Sequence, residues 1–294
     1  MSYMMDSSYY QSRYKKEDYG FVAGLAAMTV IPQSFSYFAK YLPPKMHNIS
    51  DSFSSSQKRA INNAIDVMWQ DTGLKKAGVQ LLRLPKVKLV YITAADKKFW
   101  EKHNRFVIDI INGNNAGFFS KVIQEGPLLT HKNKTFYMKN NSVLLPKKKL
   151  LPVGFHELGH AMNYNFSKIG KLLQNSRKIS KPLAAIIGLY SLLTTTTPKS
   201  KYRNLTTGEK TTNFVRENAG KLAFLAFAPM LIEEGMATLK GQKWANKLLD
   251  KDTAKQVFKC NKTAYLSYLG AATFMGLGVW AGVKIKDTLC KKSV

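Results

Sequence analysis

The chain has 294 residues and carries 45 Lys and Arg against 18 Asp and Glu, a formal net charge of +27. That length suits one or two domains with a real core, and 45% apolar with 12% aromatic residues excludes a wholly disordered chain. Two cysteines, Cys260 and Cys290, exclude a disulfide framework and a multi-thiolate metal site, while the excess of cations suits a polyanion, either nucleic acid or an anionic membrane surface.

Met1 to Gly20 is rich in tyrosine and serine with mixed charge, which predicts a flexible tail and not a secretory signal. Gly20 to Ala39 then runs 20 residues without a charge, long enough for a membrane span. Pro32, Gln33, Ser34 and Ser36 weaken its second half, so an interfacial or re-entrant helix is an equal reading. His47 to Ser56 reads as a linker. Ser54 to Lys76 is predicted helical, with Ile61, Ile65, Met68 and Trp69 on one face. Lys86 to Ala94 reads as a strand, Asp96 to His103 as a short helix, and Phe106 to Ile111 as a second strand. Asn112 to Ala116 is turn chemistry. Asn133 to Leu145 predicts a further strand pair or hairpin bent at its two asparagines. Residues 50 to 150 therefore read as a small α+β module.

After Leu151 the texture changes. Apolar stretches at Pro182–Thr197, Leu222–Ile232 and Ala264–Val283 alternate with the lysine-rich segments Lys168–Lys181, Lys199–Lys210 and Lys240–Lys262. The last apolar stretch is 20 uncharged residues closed by Lys284 and Lys286, the pattern of a transmembrane helix. Within it Gly278 and Gly282 are spaced for close approach of another helix. The two shorter stretches predict a helical hairpin, buried in a core or dipping into the bilayer.

The chemistry lies in His156-Glu157-Leu158-Gly159-His160, an H-E-x-x-H match. On a helix the two histidines share a face one turn apart, so both imidazoles can reach one Zn²⁺. Glu157 is placed to take a proton from a metal-bound water, whose pKa the zinc lowers toward neutrality. The flanking Leu150, Leu151, Val153, Phe155, Ala161 and Met162 predict a buried helix, where unpaired histidines and a glutamate would be costly. A catalytic zinc needs a third protein ligand. No histidine follows His160, so an acid must supply it. Glu233 and Glu234 stand out because they follow the apolar run Ala226–Ile232 directly.

HELGHA followed by LIEEGMAT resembles the gluzincin metallopeptidases, in which a second helix carries a glutamate in an E-x-x-A or E-G-x-A setting. By that resemblance Glu234 is the third zinc ligand, with Glu233 as the fallback. The gap of 73 residues between His160 and Glu234 is similar to the HtpX-type and CAAX-prenyl-protease-type membrane peptidases, where an apolar hairpin lies between the two zinc helices. The resemblance also implies that a strand upstream of the motif, within Thr135–Leu145, pairs with an extended substrate. That family usually has an acid four residues after the third ligand, orienting a ligand histidine; Thr238 stands there instead. The oxyanion donor is open among Arg216, Tyr164 and His131.

Together these features predict an α+β, mainly helical, zincin-like metallopeptidase with a small sheet and membrane-associated apolar helices. Its expected organisation is an N-terminal tail and membrane-contacting segment (1–49), a metallopeptidase domain with a hairpin insert (50–250) and a basic C-terminal segment with a transmembrane helix (251–294). The expected function is zinc-dependent cleavage of peptide or protein substrates at a membrane, with lipids as partners. The alternative is a basic membrane- or nucleic-acid-binding protein with a structural or vestigial zinc site. Zinc-finger spacing, an RNP-like strand and a dense arginine cluster are all missing, which disfavours nucleic acid. Hydrolysis of a non-peptide amide or ester is a third reading, since the motif sets the nucleophile and not the substrate.

Overall fold

The computed structural model describes residues 7–39, 41–84, 118–120, 126–129, 135–138, 141–146, 150–199 and 203–291. In chain order these form α1 (Ser7–Ala39), α2 (Leu42–Asp51), α3 (Ser55–Asp71), β1 (Gln80–Leu84), β2 (Phe118–Ser120), β3 (Gly126–Leu129), β4 (Thr135–Met138) and β5 (Ser142–Pro146). There follow α4 (Val153–Phe166), α5 (Lys168–Leu193), α6 (Thr207–Glu217), α7 (Ala219–Leu225), α8 (Ala228–Leu248) and α9 (Lys251–Lys291). This is the mainly helical α+β composition with a small sheet that the sequence predicts. The strands expected at Lys86–Ala94 and Phe106–Ile111, the helix at Asp96–His103 and the turn at Asn112–Ala116 lie outside the described residues, as do Trp100 and His131.

The chain divides into two compact units, each assembled from separated segments. One holds Tyr41–Asn175 and Leu231–Leu266; the other holds Met1–Lys40, Ser176–Met230 and Ser267–Val294.

In the sheet-containing unit, α3 starts where Ser54 and Gln57 form a reciprocal capping box: the Gln57 N–H donates to Ser54 Oγ at 3.2 Å and the Ser54 N–H to Gln57 Oε1 at 2.9 Å. The helix ends at Asp71, before the Lys76 expected, and Gly73 takes the positive φ of 80° that turns the chain away. Ile61, Ile65 and Met68 are fully buried, as their spacing predicts. They form one core with Val143, Leu145, Phe155, Leu158, Ala161, Ala245 and Val257.

Strand β5 lies between β1, which runs parallel to it, and β2, which runs antiparallel. All five β5 residues are buried, which explains a continuous Val-Leu-Leu run in place of alternation. The hairpin expected within Asn133–Leu145 does not form. Both strands and the bend exist, with Asn141 at φ 62°, but β4 pairs with β3, and β5 pairs with β1 and β2. A central strand buried on both sides must have two partners, and a neighbour four residues away supplies only a local one. The side-chain amides of Asn141 and Asn165 bond each other at 2.9 and 3.0 Å, tying the start of β5 to the end of α4.

The other unit contains no strand among the described residues. Its first helix begins at Ser7, so the stretch expected as a tail is helical from that point. Pro32 is accommodated inside the same helix, as is Pro182 inside α5. Lys168–Lys181 and the apolar stretch after it, distinct in composition, are therefore one continuous helix. Among the described residues, two stretches are long and apolar enough to cross a membrane, Asp18–Asp51 and Lys251–Cys290. The second apolar run divides into α7 and α8, which meet at a bend of 40°.

Candidate metal centre

Two helices carry the site, and glycine lets them touch. A Cβ placed on Gly159 of α4 would lie 2.2 Å from the Ala237 carbonyl oxygen of α8, and one on Gly241 of α8 would lie 2.5 Å from the Phe155 carbonyl oxygen of α4. With no side chain at either position the backbones approach directly, within a turn of His156 and His160 on one helix and within two turns of Glu234 and Thr238 on the other. His156, His160 and Thr238 are buried, and Glu233 and Glu234 have no exposed surface.

Three atoms converge. His156 Nε2 lies 2.9 Å from His160 Nε2 and 3.1 Å from Glu234 Oε2. His160 Nε2 lies 3.4 Å from the same carboxylate oxygen. The opposite ring nitrogens are held from behind: His160 Nδ1 is 2.8 Å from Glu233 Oε1, and His156 Nδ1 is 3.0 Å from Thr238 Oγ1.

Glu233 decides the tautomer of His160. A carboxylate only accepts, so the hydrogen between His160 and Glu233 belongs to His160 Nδ1, and a neutral His160 turns an Nε2 lone pair inward. That lone pair would face a carboxylate oxygen at 3.4 Å, a repulsive arrangement unless a cation fills it. Without a metal the cation is a proton. Burial alone would lower the pKa of His160, but the Glu234 charge and the bonds from Glu233 and Glu234 outweigh it and hold it up at about 10.

The donor set and spacing fit a metal ion. Zinc bonds to imidazole and carboxylate are about 2.0–2.2 Å long, so tetrahedral neighbours sit about 3.3 Å apart. The buried group His156, His160 and Glu234 could therefore hold a metal ion. Between the two acids the geometry separates the roles: Glu234 joins the converging trio, and Glu233 supports a histidine from its far side. Thr238 also has a position, since it meets His156 Nδ1 where an acid was expected.

Support extends beyond these residues. Glu233 Oε1 accepts from Asn163 Nδ2 at 3.0 Å and from Gln174 Nε2 at 2.8 Å, and Gln174 also donates to the His160 carbonyl oxygen at 2.8 Å. Sequence reasoning missed both amides. Asn163 follows His160 by three positions on α4, a spacing that could have pointed to it. Gln174 sits on α5, and no local pattern signals it.

Glu157 is buried on α4 beside His156. Of the candidate oxyanion donors, Arg216 is fully engaged in the all-helical unit: Nε donates to Thr196 Oγ1 at 3.1 Å, and the other nitrogens bind the Ser191 and Thr194 carbonyl oxygens and Asp287. Tyr164 is half-buried with Lys171 Nζ 5.2 Å from its ring centroid. His131 lies outside the described residues. Trp69 and Trp244 pack against the core, and Trp69 Nε1 donates to the Val79 carbonyl oxygen at 2.8 Å. No protein-family model, no curated protein and no solved structure matches the chain.

Proposed function

We propose that this chain is a membrane-associated zinc metallopeptidase of zincin-like fold, with His156, His160 and Glu234 as metal ligands and Glu157 as general base. The observation that carries the reading is the convergence of two imidazole nitrogens and a carboxylate oxygen within 3.4 Å, on side chains that have almost no contact with water. Burying such a set without a shared partner is costly. A bound zinc would act as a Lewis acid toward a substrate carbonyl and make a coordinated water acidic near neutral pH.

The protein's own groups do the rest. Glu157 adjoins the first ligand, as a base must that takes a proton from water at the metal and returns it to a departing amine. Glu233 holds the His160 tautomer, and Glu233 and Thr238 together hold the two rings in the orientation that aims both Nε2 atoms at one point. The two span-length apolar stretches support a membrane location. The net charge of +27 suits anionic headgroups.

The deciding measurement is metal content by mass spectrometry of the wild-type chain, Glu234→Ala and Glu233→Ala, alongside cleavage of an unstructured protein substrate. We expect zinc in the wild type, none in Glu234→Ala, and weakened retention in Glu233→Ala. Zinc unaffected by either change would remove the ligand assignment. A zinc-loaded chain that cleaves no peptide or protein would leave a structural metal site on a basic membrane-binding protein.

A further inference from the structure

In the all-helical unit glycines lie at the helix contacts, and many large apolar residues lie outside. Its helices touch at glycines: a Cβ on Gly24 of α1 would lie 2.7 Å from the Gly282 carbonyl oxygen of α9, one on Gly188 of α5 would lie 2.1 Å from Met28 Cε, and one on Gly220 of α7 would lie 2.7 Å from the Gly276 carbonyl oxygen. Facing outward on α5 are Leu183, Ile186, Leu189, Tyr190 and Leu193, with Ile186 61% and Leu193 71% exposed. A fold surrounded by water hides such a stripe. In lipid, burying large apolar groups between helices gains nothing, so the contacts go to small residues and the large side chains face out.

Hydropathy does not select α5, because its first half is lysine-rich. From Pro182 to Pro198, however, no residue is charged, and Lys181 and Lys199 close the run at both ends. The helix follows α9 over that length. Arg177 lies 5.8 Å from the Tyr268 ring centroid, Gly188 abuts Val279, and the end of α5 reaches Lys286.

The end of α5 is capped by other helices. The last carbonyls of a helix have no partner within it, and water normally serves them. Here buried cations from two other helices do so. Lys286 Nζ donates to the Thr194 carbonyl oxygen at 2.9 Å and also to that of Leu192, and Arg216 donates to those of Ser191 and Thr194. Lys286 is 7% exposed and Arg216 4%. The Ser191, Leu192 and Thr194 carbonyls capped in this way need no water, which favours an end at membrane depth.

We infer that α5 is a third membrane-embedded helix, its Leu183–Leu193 face lying against the hydrocarbon of a bilayer with anionic headgroups. Those residues cover about 15 Å of helix, short of the roughly 30 Å core, and Lys178 and Lys181 extend toward the headgroups at one end. The inference goes beyond the metallopeptidase reading and does not depend on zinc.

The test uses the full-length chain carrying Cys290→Ser, with buried Cys260 retained. Single cysteines are placed by Ile186→Cys, Leu183→Cys and, as a control on α9, Leu277→Cys. Each is spin-labelled in phosphatidylcholine–phosphatidylglycerol vesicles and exposed to oxygen or to a water-soluble nickel chelate. We expect labels at 183 and 186 to keep relaxation by oxygen and lose relaxation by the chelate, matching 277. Chelate relaxation at 183 and 186 with 277 protected overturns the inference and leaves the membrane reading standing. Loss of both relaxations at 183 and 186 shows a protein partner on this face and overturns it equally. Chelate relaxation at 277 as well removes the membrane reading itself.

Discussion

The sheet-containing unit buries His156, His160, Glu233 and Glu234, while the all-helical unit buries Arg216 and Lys286. In the second set, donors meet acceptors: two cations cap helix carbonyls and Arg216 pairs with Asp287, so nothing is left over. In the first set, the outer groups bond the rear nitrogen of each histidine and turn three potential ligand atoms toward one point. Buried charge alone does not identify a site. The sign of the atoms that face each other does, because a complete set closes a fold whereas converging acceptors call for a cation.

The largest expected effect lies at Glu157. Glu157→Gln should keep its zinc and lose about 10²–10⁴-fold in peptide hydrolysis, the usual worth of a general base. Full activity would remove the mechanism. A second contrast sets the two buried sets against each other. Arg216→Ala should cost about 1–3 kcal/mol, the penalty of leaving buried acceptors unpaired, and keep its zinc. Glu234→Ala should lose the metal. Thermal unfolding and metal analysis of the two variants read both halves, and zinc loss in Arg216→Ala would contradict the division of roles.

Smaller effects sharpen the first set. Glu233→Gln keeps an acceptor oxygen but removes the negative charge behind His160, and it should weaken zinc about 10–100-fold without abolishing binding, measured by competition with a chromophoric chelator. The pH dependence follows from His160. Its value in the metal-free fold, about 10, stands above the ordinary 6.5. The stabilisation it gives the metal-free protein is therefore complete below about 6.5 and is lost as pH rises through about 10. Zinc must displace that proton, so affinity should rise by about tenfold per pH unit from neutral up toward 10. An affinity flat across pH 7–9 would mean that His160 is already neutral.

Much of the site was legible in the sequence because a helix turns spacing into direction. His156 and His160 share a face by their separation of four, and Ile61, Ile65 and Met68 form a core stripe for the same reason. Glu233 and Glu234 stand out in the sequence because two acids directly after an apolar run need a partner. Neighbouring positions on a helix point about 100° apart, so one could reach the trio and the other could not, but which was which depended on how α8 rotates against α4.

The sequence by itself therefore determined the motif helix, the core face of α3, the charge excess and the two span-length apolar stretches, all set by local periodicity or composition. Tertiary structure decided the pairing of β5 with β1, the positions of Glu234 beside the two histidines and Glu233 behind His160, the position of Thr238 behind His156 and the part of Gln174. The physical reason is distance along the chain. Residues separated by tens of positions have no fixed angle to one another until packing supplies it, and here Gly159 and Gly241 supplied it by letting α4 and α8 meet backbone to backbone.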